Sequence, residues 1–218
     1  SRHPDYREGD CVSGWFGWQD YACITPDQIV QRTTASEMRA SLGILSTNGV
    51  TAYLALTLIG QPWAGETVLV STAAGAVGSA AGQIARILGC RTIGIAGGPD
   101  KVSRCIGEFG YDAAIDYRAQ DVSAALAGHA PDGIDIYFDN VAGPISDAVL
   151  PHLALRARVI VCGTASIDRW TPWPTGPRVE RHLLVKRARM EGFVIFDHVD
   201  RYQDAVGQLR TWISEGRL

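Results

Sequence analysis

The residues best suited to chemistry sit in one stretch, Thr67-Val68-Leu69-Val70-Ser71-Thr72-Ala73-Ala74-Gly75-Ala76-Val77-Gly78-Ser79-Ala80-Ala81-Gly82. Thr67 to Ser71 is a short β-branched apolar run, and Val77, Ala80, Ala81, Ile84, Ile87 and Leu88 recur at helical spacing up to Gly89. A strand that passes into a helix through small residues lets the backbone approach a pyrophosphate, and the helix N-terminus attracts its charge. Gly75, Ala76, Val77 and Gly78 would form that cradle. The spacing Gly-x-x-Gly-x-x-x-Gly departs from G-x-G-x-x-G, so a second reading stands beside the first. It is a close-packed strand–helix crossing that needs small residues and binds nothing.

A dinucleotide site that prefers NAD carries an acid about 20 residues past the glycines, where it accepts from the ribose 2′-hydroxyl. Here that count lands on Ala96-Gly97-Gly98, without a carboxylate, followed by Asp100 and Lys101. Losing the acid removes a repulsion, and a lysine can attract a 2′-phosphate, so NADP(H) is the favoured cofactor. Lys101 also reads as a solvated lysine in a first helical turn.

Other chemistries find less support. Cys11, Cys23, Cys90, Cys105 and Cys162 are odd in number and lack a C-x-x-C pair, and His3, His129, His152, His182 and His198 lack ligand spacing, so no metal site is expected. Ser71 and Ser79 have no neighbouring His–acid arrangement and G-x-S-x-G is absent, which argues against a hydrolase. Tyr53 has two readings, a phenol that donates to a carbonyl oxygen or a core tyrosine on an apolar helix. Trp15, Trp18, Trp170 and Trp173 could wall an apolar pocket or serve as packing anchors. The basic residues between Arg178 and Arg189 read as a solvated face or subunit contact.

The elements that must position these residues follow from the chain's periodicity. Strands are expected at 67–71, 91–96, 113–116, 133–139, 158–162 and 189–196, alternating with a helix marked by Val77 to Leu88, helices at 100–109, 121–127 and 145–153, and a final one marked by Tyr202 to Ile213. This alternation predicts an α/β fold, a Rossmann-type doubly wound parallel sheet covered on both faces. Ahead of it lie a short helix within 36–47, an apolar helix over 51–59, and two short strands at 9–14 and 15–24. Such a hairpin is marginal alone, and it predicts a partial β-rich domain over 1–35 beside a nucleotide domain over 36–218. Residues 163–181 read as a Pro/Trp-rich loop.

With 218 residues, 46% of them hydrophobic and 20% charged, the chain can build a sizeable core. A net charge of −3 and a pI near 5.9 give no attraction to nucleic acid or an anionic membrane. No apolar run reaches a membrane span. The cysteine usage suits a reducing, cytoplasmic setting.

Five motifs, Gly49-Val50-Thr51-Ala52-Tyr53, Ala73 to Gly78, Ala96 to Lys101, Phe138-Asp139-Asn140-Val141 and Arg189-Met190-Glu191-Gly192-Phe193, together resemble the zinc-independent medium-chain reductases. The match is to the prostaglandin, plant double-bond and curcumin reductase group. The resemblance implies NADPH-dependent reduction of the carbon–carbon double bond of apolar enones or enals, and a homodimer. It implies Gly75 to Gly78 at the pyrophosphate, Lys101 and Tyr117 at the 2′-phosphate, and Asn140 near the ribose and nicotinamide. Cys162, Gly163, Ser166, Phe193, Val194 and Ile195 would line the nicotinamide, with Thr51 near its carboxamide and Tyr53 as the catalytic candidate. Asp168 stands where the group usually has a tyrosine. A carboxylate cannot donate to an enolate oxygen, so a loop-capping role is expected for it. The group's GroES-like substrate domain is reduced here to the early hairpin, so the chain is expected to be a piece of a longer protein, which the intact mass of the native protein would test.

Overall fold

The computed structural model describes residues 3–218. Strands β1 (Cys11–Gly14) and β2 (Ile29–Thr33) pair antiparallel as a separate two-stranded sheet. The expected second strand at 15–24 is therefore displaced to Ile29–Thr33. Trp15, Trp18 and Tyr21 are largely exposed and have no sheet face to pack on, whereas Ile29-Val30-Gln31-Arg32-Thr33 is a β-branched run with a buried Gln31.

Helix α1 (Met38–Leu42) and helix α2 (Thr47–Ala55) follow, and α2 runs on through a π-helical turn at Leu56–Gly60 before Gln61 turns left-handed. The start of α2 lies four residues ahead of the expected one, because Asn48 and Gly49 resemble turn residues. Gly49 has a packing reason to be there: a Cβ would lie 1.8 Å from the Ile44 carbonyl oxygen.

The alternating region forms one six-stranded sheet. Its strands are β3 (Thr67–Ser71), β4 (Arg91–Ala96), β5 (Ala113–Asp116), β6 (Ile134–Asp139), β7 (Leu153–Val161) and β8 (Arg189–Gly192). All neighbours are parallel, in the order β5-β4-β3-β6-β7-β8. That order is the doubly wound one, with the chain reversing its direction of travel between β3 and β6. Along β3, Val68 and Val70 enter one core and Leu69 the other, so both faces are covered. The first core is closed by α2, α3 (Ala76–Ile87) and α8 (Tyr202–Ser214), the second by α5 (Val122–His129) and α6 (Gly143–Val149). Helix α4 (Pro99–Gly107) links β4 to β5.

Two expectations near the end change. The loop after β7 contains helix α7 (Glu180–Lys186), and β8 stops at Gly192 instead of reaching residue 196. Phe193 is buried and stacks on His198 at 5.0 Å, which turns the chain into the 3-10 segment Ile195–Arg201. The early hairpin is tied to α8 by Gln203 Nε2 donating to the Val30 carbonyl at 2.8 Å.

At the N-terminal edge of β3, Arg158 donates twice to Glu66, at 2.8 and 2.6 Å, and also to the Gly60 and Gln61 carbonyls. Arg189 donates to the Ile59 carbonyl. The open end of the π turn is thus closed by two arginines of β7 and β8. Arg189 thereby leaves the basic face to which its sequence assigned it.

Candidate functional site

The glycine stretch divides into two kinds of glycine. A Cβ on Gly78 would lie 2.2 Å from the Thr72 carbonyl oxygen and 2.9 Å from Ala73 Cα, and one on Gly82 would lie 2.1 Å from the Tyr111 ring. Tyr111 is buried and its hydroxyl donates to the Gly78 carbonyl at 2.7 Å. Gly78 and Gly82 are therefore required by the crossing of α3 over the strand ends. Gly75 is different. It is the N-cap of α3, without a capping side chain, and the atom nearest its missing Cβ is a Thr72 methyl, which can move. The first N–H groups of α3 are thus left for an external anion. The two readings of the motif fall on different residues, packing on Gly78 and Gly82 and an open helix N-terminus on Gly75.

The second group lies at the end of β4. Asp116, closing β5, accepts from the Gly98 N–H at 2.9 Å and the Arg118 N–H at 3.0 Å. These backbone bonds hold its carboxyl below the usual aspartate range. Tyr117 lies over Gly97, where a Cβ would be 2.8 Å from its ring. Lys101, in the first turn of α4, is exposed.

The third group gathers at the carboxyl ends of β3, β6 and β7. Asn140 donates from its backbone N–H to Ser71 Oγ at 2.8 Å and from Nδ2 to the Ser71 carbonyl at 2.7 Å. Below it, Asp139 is 3% exposed, and its Oδ1 accepts from the Tyr137 hydroxyl at 3.0 Å and from the Val141 and Ala142 N–H groups at 2.9 Å each. Its Oδ2 accepts from Ser146 Oγ at 2.6 Å. This network fixes Ala142 at φ 57°, a left-handed conformation that few non-glycine residues adopt. The Cys162 and Gly163 N–H groups both donate to the Asp139 carbonyl, at 2.8 and 3.1 Å, and Ser166 Oγ donates to the Val141 carbonyl at 2.7 Å. Burial, with the Asp139 charge adding, pushes the Cys162 thiol up to about 11, so it is no nucleophile at neutral pH. Phe193 joins through its N–H on the Val161 carbonyl at 3.0 Å.

Thr51 is buried in α2. Tyr53 sits on that helix with its ring edge-on to Trp212 of α8, at 5.6 Å between centroids. Burial and the Asp204 charge raise its phenol. Val194 is exposed and Ile195 half-buried. Ile195 lines a cavity of about 370 Å³ with Trp15, Ile29, Phe196, Val199 and Tyr202. Asp168 has a side chain 90% exposed and lies 3.9 Å from Arg169. Among the described residues, no three His, Cys, Asp or Glu side chains come together in a way that could hold a metal ion.

Sequence reasoning missed Asp139, Ser71, Ser146 and Asp116 as organisers of the site. Ser71 and Asp116 are tied to segments distant in sequence, Ser146 gave no signal, and only Asp139 lay within a motif, Phe138-Asp139-Asn140-Val141.

Residues 76–211 match the family model described as zinc-binding dehydrogenase. The chain is 41% identical over 224 residues to the NADPH-dependent curcumin reductase of Escherichia coli, covering all of this chain and 65% of the relative. It is 41% identical over 222 residues to the NADP(+)-dependent 2-alkenal reductase of Nicotiana tabacum, covering all of this chain and 64% of the relative. The crystal structure of CurA from Vibrio vulnificus in complex with NADPH superposes with a TM-score of 0.81 at 41% identity, covering 87% of this chain and 58% of that one. This chain thus spans about two thirds of the length of the curated relatives it matches. Its motifs, sheet order and relatives agree, and the chain belongs to the zinc-binding dehydrogenase family, within the medium-chain reductases of the curcumin, alkenal and prostaglandin reductase group.

Proposed function

We propose that this chain is the nucleotide-binding part of an NADPH-dependent reductase that acts on the carbon–carbon double bond of apolar α,β-unsaturated ketones and aldehydes. The observation that carries the reading is the convergence of Asn140, Cys162, Gly163 and Ser166 on the strand ends beside the uncapped N-terminus of α3. Ligands of doubly wound sheets bind in that crevice. The residues fit a dinucleotide: at Gly75 to Gly78 the Gly75 N–H is taken by the Thr72 carbonyl, which leaves the Ala76, Val77 and Gly78 N–H groups for the pyrophosphate, and Lys101 and Tyr117 stand at the end of β4, a strand with no acid of its own, for the 2′-phosphate.

When bound, NADPH supplies the hydride for the β-carbon of the double bond. Asn140 has its Nδ2 committed to Ser71, which leaves Oδ1 to accept from the cofactor's ribose or carboxamide. Cys162 stays a neutral thiol and serves as wall, with Gly163, Ser166, Phe193, Val194 and Ile195 along the same side. Thr51, buried in α2, would stand on the side of the carboxamide. The expectation that Tyr53 donates to the substrate oxygen finds less support, although burial and the Asp204 charge raise its phenol and keep it protonated across neutral pH. Its ring contact with Trp212 favours the packing role that the sequence held open. Asp168 cannot donate, so the α-carbon takes its proton from solvent.

Three finer parts belong to the same proposal. The division near residue 35 is supported by the separate β1–β2 sheet. A homodimer is supported by the open edge at β8, and a reducing, cytoplasmic setting by five unpaired thiols.

The test follows NADPH oxidation by the native protein with a 2-alkenal and, in parallel, with a quinone. Saturated aldehyde as product is expected. Turnover of the quinone alone would overturn the enone assignment, and NADPH binding with no turnover would make the chain a nucleotide-binding module.

A further inference from the structure

Arg118 was assigned no role by its sequence, since it follows the third strand of the sheet and lies about 20 residues beyond the place where a ribose-reading residue is sought. The fold returns it to that place. A Cβ on Gly97 would be 3.0 Å from Arg118 Nε and 2.8 Å from the Tyr117 ring, so the guanidinium and the phenol lie together over the bare backbone that ends β4. The Arg118 Cζ is 5.8 Å from the Tyr117 ring centroid. Its backbone is fixed as well, because Asp116 Oδ1 binds the Arg118 N–H and the Gly98 N–H together, at 3.0 and 2.9 Å. Gly98 is the N-cap of α4, the helix whose first turn carries Lys101. One carboxylate oxygen therefore joins the two segments that bear cations.

The charges at this end need that second cation. Asp116 is held ionised by its backbone bonds, and Asp100 stands beside Lys101 in the first turn of α4, so the turn carries two carboxylates and one lysine. A lysine alone leaves the turn net negative, which would repel a 2′-phosphate; with Arg118 the balance is neutral before the helix N-terminus is counted. Among the described residues neither Lys101 nor Arg118 has a carboxylate within ion-pair distance, so both remain available. A guanidinium, with its planar fork of donors, suits a phosphate better than an ammonium does.

We propose that Arg118 is a specificity-determining residue, the second cation that selects the 2′-phosphate of NADP(H), positioned by Asp116 and Gly97. This rests on the reading of the site as one for NADP(H). The test is calorimetric titration of the native protein with adenosine 2′,5′-bisphosphate and with adenosine 5′-monophosphate, which differ only in the 2′-phosphate. The unmodified protein is expected to prefer the bisphosphate. Arg118→Ala should weaken the bisphosphate about tenfold and leave the monophosphate within about twofold, and Arg118→Lys should recover part of the loss. Melting temperatures of both variants should match the parent, because the side chain is exposed. If Arg118→Ala leaves the bisphosphate affinity unchanged, or weakens both ligands equally, Arg118 is not the selector. If the unmodified protein shows no preference, the NADP(H) reading fails first, and the inference with it.

Discussion

Asn140 grips Ser71 twice, its backbone N–H on Ser71 Oγ at 2.8 Å and its Nδ2 on the Ser71 carbonyl at 2.7 Å, which locks the end of β6 to the end of β3. The two residues flank the crevice, so this clamp sets the direction of the Asn140 Oδ1. Ser71→Ala leaves the Asn140 N–H without its acceptor, a loss of about 1–3 kcal/mol in stability. NADPH affinity, followed by quenching of protein fluorescence, is expected to fall about tenfold for Asn140→Ala, which removes a hydrogen-bonding side chain from a desolvated site. Unchanged affinity would remove Asn140 from the cofactor site.

The two kinds of glycine predict opposite phenotypes. Gly78→Ala drives a methyl into the Thr72 carbonyl and should cost roughly 3 kcal/mol, a drop of about 6–12 °C in Tm for a chain of this size. Gly75→Ala meets the Thr72 methyl at 2.9 Å and the Thr72 carbonyl oxygen at 3.1 Å, a milder clash than at Gly78, and should cost less stability than Gly78→Ala while weakening nucleotide binding by crowding the helix N-terminus. Thermal melts beside NADPH titrations separate the two. Equal melting losses would return the whole motif to packing.

Glu66 gives a pH signature. Burial acts to raise its carboxyl, but the hydrogen bonds from Arg158 and the Trp63 N–H, with the Arg158 charge, outweigh it and hold the group below its ordinary 4.5. Its folded pKa is thus depressed, so the stability it adds is fully present above the unfolded pKa and disappears as pH falls through the folded one. Glu66→Gln should lower Tm at neutral pH, and the gap to the parent should close as pH falls below the ordinary glutamate range. A gap independent of pH would show that the Arg158 pair adds nothing through its charge.

Tyr53 offers the sharpest test of a side-chain role. Its ring stands edge-on to Trp212, so Tyr53→Phe keeps the packing and removes only the hydroxyl. Turnover of a 2-alkenal within about twofold of the parent is expected, against a loss of about 100-fold or more if the phenol were a general acid. Trp212→Ala should instead destabilise the protein by about 3–5 kcal/mol, through the cavity left between α2 and α8.

The parallel sheet was legible because β3, β4 and β6 are runs buried on both faces, bounded by glycines. The hairpin was misjudged where the aromatic residues from Trp15 to Tyr21 imitate strand composition without a partner to bury them. Helix α7 was missed because Pro172, Pro174 and Pro177 before it read as a continuing loop. In the site, Gly75, Lys101 and Asn140 announced themselves by spacing or motif. Ser71 did not, because its bonds join segments 68 and 69 residues apart, and Asp139, though within the same motif as Asn140, gave no sign that it gathers Tyr137, Ser146 and two backbone N–H groups. The acid sought near Ala96 was absent from that strand, yet Asp116 reached the same turn from the neighbouring one.

The buried carboxylate of Asp139 has a thermodynamic corollary. Tyr137, Ser146 and two backbone N–H groups surround it as water would surround a free ion, so the loop that bears Asn140 is moulded around a charge already solvated by protein. The entropy of ordering that loop is spent during folding. On the proposed reading, a dinucleotide meets a loop already ordered, and its binding loses little further entropy to ordering it.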